Sequence, residues 1–165
     1  MKIGVLSDTH LKHFPEDLGE CIAHHFRDVD MILHAGDVVE LGALDFFADR
    51  EIQLVAGNMD SWELKHRAPA KTVLTVEGFR VGLIHGWGSP AGIEDRIIQE
   101  FDVIDILVYG HTHAAVSHTK NGILYFNPGS PTDKRFARTN TIGILEIGTS
   151  IHPKIITISS GKGIT

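Results

Sequence analysis

A chain of 165 residues with 42% hydrophobic content and a formal net charge of −6 fits one folded soluble domain spanning residues 1–165. The acidic balance argues against a surface built for nucleic-acid backbone, which presents a basic patch or stripe. The lone Cys21 excludes an internal disulfide and is read as a structural thiol.

The chain begins Met1-Lys2-Ile3-Gly4-Val5-Leu6, which reads as a strand over Lys2–Leu6 rather than a leader. No run approaches the ~20 apolar residues of a membrane span. A cytoplasmic protein without membrane contact is expected. Pro15–Phe26 reads as a helix, with Pro at its start and Leu18, Ile22 and Phe26 on one face. A strand over Met31–His34, a helix over Leu41–Ala48 and a strand over Ile52–Ala56 follow, and this β-α-β-α-β order predicts parallel strands with right-handed crossovers.

The second half changes character. Strands are predicted at Thr72–Val76 and Arg80–Ile84, separated by Glu77-Gly78-Phe79 as a tight hairpin. A helix over Ala91–Phe101 leads to a strand over Ile106–Tyr109. Further strands are expected near Val116–Thr119, Gly122–Phe126, Thr141–Glu146 and Lys154–Ile158, with turns at Asn121-Gly122 and Pro128-Gly129. The sum is an α/β chain with two sheets. The segment Gly161–Thr165 reads as a frayed tail.

Five short motifs each follow a predicted strand. Asp8-x-His10 offers a carboxylate and an imidazole to one divalent ion, although such a triplet arises about once in a shuffled chain of this composition. Gly36-Asp37 and Gly57-Asn58-Met59-Asp60 use a glycine turn to bring an oxygen ligand to a strand's carboxyl end. Gly-Asp alone is usually just a turn, whereas Gly-Asn-x-Asp is expected roughly a few times per hundred shuffles. His85-Gly86 and Gly110-His111-Thr112-His113 add neutral imidazoles, the latter motif expected about once in ten shuffles. The carboxyl ends of parallel strands form the usual ligand crevice of an α/β sheet.

In that order, Asp8-x-His10, Gly36-Asp37, Gly57-Asn58-x-Asp60, His85 and Gly110-His111-x-His113 resemble the calcineurin-like metallophosphoesterase superfamily, and the chain length resembles its small bacterial and archaeal phosphodiesterase branch. The resemblance implies a two-sheet β-sandwich flanked by helices. It implies that Asp8, His10, Asp37 and His113 hold one metal, and that a bridging Asp37 with Asn58, His85 and His111 holds another. Carboxylate, amide and imidazole ligands without thiolate suit Mn²⁺, the first expectation, with Ni²⁺, Fe or Zn²⁺ as alternatives, and disfavour Ca²⁺.

The implied reaction is hydrolysis of a phosphodiester by a hydroxide bridging the two ions. Asn58 is expected to orient the phosphate, and Asp37 and His85 complete the catalytic set. The metals would supply the positive charge that an acidic chain lacks. Where many relatives carry a histidine after the Asn, this chain has Met59, whose thioether cannot donate a proton. Asp60 is thereby left without a histidine to orient, and the resemblance to the small branch, which also lacks a histidine there, implies phosphodiesters, particularly activated ones, over monoesters.

Asn127-Pro128-Gly129-Ser130 resembles a loop of the small branch beside the pocket, and also reads as a plain Pro-Gly turn. Lys134 or Arg135 could meet a phosphate, against the commoner outcome of solvent-facing charge. Trp62 and Trp87 either wall a substrate cleft or pack in core or rim. His34 is placed behind a ligand, while His13, His24, His25, His66, His118 and His152 fit no motif and read as structural or solvated. A small phosphodiester is the expected partner, and a homodimer the expected assembly. The competing reading is a non-catalytic interaction module on the same fold, disfavoured because every expected ligand is present. A purely structural metal is disfavoured because such sites tend to be closed and Cys-rich.

Overall fold

The computed structural model describes residues 1–133 and 139–158; Lys134, Arg135 and the segment 159–165 lie outside the described residues. Ten strands form two five-stranded mixed sheets packed face to face. The first sheet contains β1 (Lys2–Leu6), β2 (Met31–His34), β3 (Ile52–Leu54), β9 (Asn140–Ile147) and β10 (Ile151–Ile158), in the order β10-β9-β1-β2-β3. The second contains β4 (Lys71–Val76), β5 (Phe79–Ile84), β6 (Ile106–Val108), β7 (Val116–Lys120) and β8 (Ile123–Asn127), in the order β4-β5-β6-β8-β7. β1, β2 and β3 run parallel in one sheet, and β5, β6 and β8 run parallel in the other.

The central core lies between the sheets, where Ile3, Val5 and Leu33 meet Val81, Leu83, Ile106 and Val108. Two further apolar layers seat the helices. Helix α1 (Glu16–Phe26) buries Leu18, Ile22 and Phe26 against Leu6, Ile32, Ile142 and Ile144, the face its spacing predicts. Helix α3 (Ile93–Ile97) buries Ile93 and Ile97 against Ile84, Leu107, Tyr109 and Tyr125. Full burial of each such aliphatic or aromatic side chain contributes about 1.5–3 kcal/mol.

Five elements differ from the sequence-based expectation in type or by more than one residue. Leu41–Phe47 is 3-10 rather than α-helical: Glu40 makes no side-chain cap bond, and Gly42 weakens helix propensity. The helix expected from Ala91 begins only at Ile93, because Gly92 is left-handed (φ 69°), and it tightens into a 3-10 turn over Ile98–Glu100. β3 stops at Leu54, since the Ala56 amide leaves the ladder and donates to the Pro69 carbonyl at 2.8 Å. A short helix α2 (Trp62–Arg67) was not expected. It rests on one cap, the Ser61 hydroxyl accepting from the Leu64 amide at 3.3 Å, and on burial of Leu64. β10 extends back through Pro153 to Ile151, which an edge strand tolerates because its outer side needs no ladder donor.

Candidate metal centre

All five motifs converge at the carboxyl ends of parallel strands, three from the first sheet and two from the second. The loop after β1 carries Asp8 and His10, the loop after β2 carries Asp37, and the loop after β3 carries Asn58. His85 follows β5, and His111 and His113 follow β6. The loops after β1 and β2 run side by side: the amides of Asp8, His10 and Leu11 donate to the carbonyls of Gly36, Asp37 and Val38, each at 3.0 Å.

The backbone here is unusual. Among described non-glycine residues with positive φ, Asp8, His10, Asp37, Val39, His111 and His113 belong to these loops. Left-handed conformations of such residues cost roughly 1–3 kcal/mol each and persist only where the surroundings over-determine them. Close approach demands the neighbouring glycines: a Cβ on Gly110 would collide with the Ser7 hydroxyl and the Asp8 carboxylate, and one on Gly57 with Asp37.

Asp8, Asp37, His85 and His111 show the same division of labour, one polar atom tied down and another presented inward. Asp8 Oδ2 accepts from the Ser7 hydroxyl at 2.6 Å and the His111 amide at 2.9 Å. Asp8 Oδ1, fully buried, accepts no hydrogen bond from the described residues, although the Nε2 atoms of His113, His10 and His85 lie 3.3, 4.0 and 4.0 Å away. Asp37 Oδ1 accepts from the Met59 amide at 2.7 Å, leaving Oδ2 3.3 Å from His85 Nε2. His85 Nδ1 donates to the Ala35 carbonyl at 2.7 Å, and His111 Nε2 to the Gly88 carbonyl at 2.8 Å. His113 Nδ1 meets Asp133 Oδ2 at 3.2 Å, the carboxylate-histidine arrangement typical of metal ligands.

When these rings are neutral, the outward bonds fix the tautomers of His85 and His111 so that their inward nitrogens carry lone pairs. His85 Nε2 and His111 Nδ1 then face Asn58 Oδ1 at 3.1 and 3.0 Å. His10 Nε2 and His113 Nε2 face one another at 3.1 Å. Wherever both members of such a pair are acceptors, the contact is stable only around a cation or a proton. Ligand atoms of Asp8, His10 and His113 lie mutually within 4.8 Å, as do those of Asp8, Asp37 and His85, so Asp8 is common to both trios. The donor set therefore fits divalent ions.

Electrostatics follow the same plan. Burial works to lower the His85 pKa, but the Asp37 hydrogen bond and the charges of Asp8 and Asp37 hold it above the ordinary value. Burial works to raise Asp37, but His85 and the Met59 amide hold it below the usual carboxylate range. For His10, burial prevails over the nearby carboxylates and lowers the pKa. Burial pushes His34 down to about 4.

His34 is buried beneath the loops that carry Asp8 and Asp37. Its Nδ1 accepts from the Gly36 amide at 3.2 Å, so its protonated Nε2 donates to Thr9 Oγ1 at 3.2 Å, tying the loop after β1 to that after β2. Asp60 acts similarly. With no histidine to orient, its buried carboxylate accepts from the amides of Gly57, Val39 and Asp37 at 2.6, 2.7 and 3.2 Å. The Asn127–Ser130 loop also lies against the centre: Asn127 Nδ2 donates to the Gly110 carbonyl at 3.0 Å, and the Ser130 hydroxyl to the Asp8 carbonyl at 2.7 Å. Sequence reasoning missed Asp133, whose only signal was its place three residues beyond Ser130.

Trp62 and Trp87 are not core residues; they are 75% and 43% exposed, and Met59 is 58% exposed. His66 stacks on Trp62 with ring centroids 3.9 Å apart. His118 pairs with Glu94 at 2.9 Å, away from the ligand loops. Among the described residues no helix is long and apolar enough to cross a membrane.

Residues 1–150 match the calcineurin-like phosphoesterase superfamily domain. The chain is 35% identical over 162 residues to a probable metallophosphoesterase of Methanocaldococcus jannaschii, covering 96% of this chain and 82% of that one. It is 25% identical over 169 residues to a phosphodiesterase of the same archaeon, covering 94% and 99%. Among solved structures, an archaeal phosphodiesterase superposes with a TM-score of 0.77 at 24% identity, covering 96% of this chain and 100% of that one. Zinc-complexed Vps29 from Entamoeba histolytica superposes with a TM-score of 0.71 at 22% identity, covering 95% and 99%. With a domain match over most of its length and a shared two-sheet architecture, this chain belongs to the calcineurin-like phosphoesterase superfamily.

Proposed function

We propose that the protein hydrolyses phosphodiesters at a centre of two divalent ions. Asp8, His10, Asp37 and His113 would hold one ion, and Asp37, Asn58, His85 and His111 the other, with Asp8 also within reach of the second group beside His85. The observation that carries this reading is the inward-facing set of lone pairs, above all the buried Asp8 Oδ1 with no hydrogen bond from the described residues. When bound, such ions supply a water nucleophile at neutral pH and positive charge for the phosphoryl oxygens. Mn²⁺ is the first metal to test, with Ni²⁺, Fe and Zn²⁺ beside it.

The chain's own residues do the remaining work. Asp8, Asp37, His85 and His113 form a buried floor, while His10, Asn58 and His111 stand at a more open mouth where a phosphate can enter. Asn58 offers its amide to the phosphate. His10, held neutral by burial, remains a lone-pair donor near pH 7. Hydrolysis forms one P–O bond from water and breaks one ester P–O bond, the water proton passing to solvent. The thioether of Met59 gives the departing oxygen no proton, which favours esters whose leaving oxygen is already stabilised.

Metal analysis of purified protein, followed by assay of bis(4-nitrophenyl) phosphate and 4-nitrophenyl phosphate with and without added Mn²⁺, tests this. Bound metal with faster turnover of the diester is expected. Absence of metal together with no hydrolysis of either ester would overturn it. That outcome would favour the second reading, a non-catalytic interaction module, for which Met59, Trp62 and Trp87 are exposed apolar side chains available for contact.

A further inference from the structure

Beside His85 lies a recess of about 350 Å³ that the ligand set does not use. Ala56, Ala70 and Gly86 line it, and their small side chains leave the space open. Trp87 forms its wall, and His85 is shared with the candidate centre. Its volume is at the lower end of ligand pockets, enough for one compact group.

Two features define what fits. The Lys71 ammonium also borders the recess, but it is held by the Glu100 carboxylate at 2.7 Å and the Glu100 carbonyl at 2.6 Å. A pair so neutralised offers nothing to a second phosphate. Trp87, in contrast, leaves 43% of its surface exposed on a backbone anchored at two successive carbonyls. Arg96 Nη2 and Nε donate to the Trp87 carbonyl at 2.8 and 3.1 Å, and the next carbonyl, of Gly88, accepts from His111. An exposed indole on an anchored backbone, beside a recess whose charges are paired, offers a stacking wall for a flat ring.

We propose that this recess takes a neutral planar ring carried on one ester oxygen of the substrate phosphodiester, with Trp87 as the specificity-determining residue. The inference rests on the phosphodiesterase reading, because His85 joins the recess to the reacting phosphate. A ring also suits a site in which position 59 supplies no proton, since an aryl oxygen leaves as a stabilised anion.

The test compares phenylphosphonate with methylphosphonate, the same charged head with and without a ring, on Mn²⁺-loaded protein by calorimetry. In a Trp62→Phe background Trp87 is the sole tryptophan of the two in the chain, so its emission reports the ring directly. Phenylphosphonate should bind about tenfold more tightly and perturb that emission. Trp87→Ala should bring the ratio close to one, and Trp87→Phe should keep most of it, which separates loss of the wall from loss of the fold. Equal affinities in the unmodified protein, or a ratio that survives Trp87→Ala, would overturn the proposal while leaving the metal centre standing. If neither phosphonate binds the metal-loaded protein, the phosphodiesterase reading falls and this one with it.

Discussion

The two ends of the paired sheets solve the same backbone problem in opposite ways. At the amino ends of β5 and β8 the chain reverses through Glu77-Gly78 and Asn121-Gly122, where both residues of each turn have positive φ. A Cβ added to either glycine would meet nothing within 4 Å. At the carboxyl ends, six non-glycine residues have positive φ, but there the backbone is crowded and the amides of Asp8, His10, Asp37, Val39 and His111 are all held by partners far along the chain. The hairpins are left-handed because their local chemistry favours it. The ligand loops are left-handed because distant partners force it, and strain held in this way marks a functional site.

If that contrast is right, the largest effect comes from removing a presented atom rather than a structural one. Asp37→Asn keeps the Met59 amide bond through the remaining oxygen but weakens the charge facing His85. Loss of an outer partner of a metal ligand typically costs 10–100-fold, so loss of a ligand itself should lower diester turnover by at least about 100-fold. Metal content should fall while the circular dichroism spectrum is unchanged. Full turnover with full metal content would show that the strained loops serve something else.

Next come the residues that impose the strain. Asp60→Ala would leave the Gly57, Val39 and Asp37 amides without their acceptor, a loss of about 3 kcal/mol or more given the cost of buried unsatisfied donors. Urea denaturation in the presence of chelator measures it free of metal binding, and Asp60→Asn should recover part. A loss below about 1 kcal/mol would mean that the loops hold their conformation without this carboxylate.

His34 makes the same dependence readable by pH. Its ring is 1% exposed and its pKa is about 4, against an ordinary value of 6.5. Between those values the unfolded chain binds the proton and the folded chain does not. The stability from the neutral ring is thus complete above pH 6.5 and is lost as pH falls toward 4, by up to about 3 kcal/mol. Protonation would also set a ring N–H against the Gly36 amide. The chain with His34→Gln should show a shallower fall in urea midpoint over that window; equal slopes would remove His34 from the account.

How much of this was legible in sequence divides along the same line. The convergence of Asp8, His10, Asp37, Asn58, His85, His111 and His113 could be anticipated because residue type and position after a strand carry the signal, and the two-sheet fold followed from hydrophobic runs and turn pairs. Asp60 and Asp133 could not be assigned roles, because their meaning depends on atoms far along the chain: Asp60 on the Val39 amide, Asp133 on His113. Helix α2 escaped because six residues with a single serine cap leave too short a period to read. The recess beside His85 was invisible for a related reason, since small residues at positions 56, 70 and 86 acquire a common purpose only when three loops meet.

The smallest predicted effect tests whether the hairpin end is as independent as it looks. Glu77 occupies the position (φ 49°) that Asn121 occupies in the other hairpin (φ 53°), and Asn-Gly is the preferred pair for a two-residue turn with both φ positive. A carboxylate side chain two carbons long gains nothing from that backbone, whereas Asn tolerates it. The contact between Glu77 and the amino terminus at 3.8 Å is exposed and contributes little. Glu77→Asn should therefore raise stability by about 0.5 kcal/mol, with diester turnover and metal content unmoved. A change in turnover would mean that strain at one end of the sheets is felt at the other, and the division between locally set and distantly imposed backbone would fail.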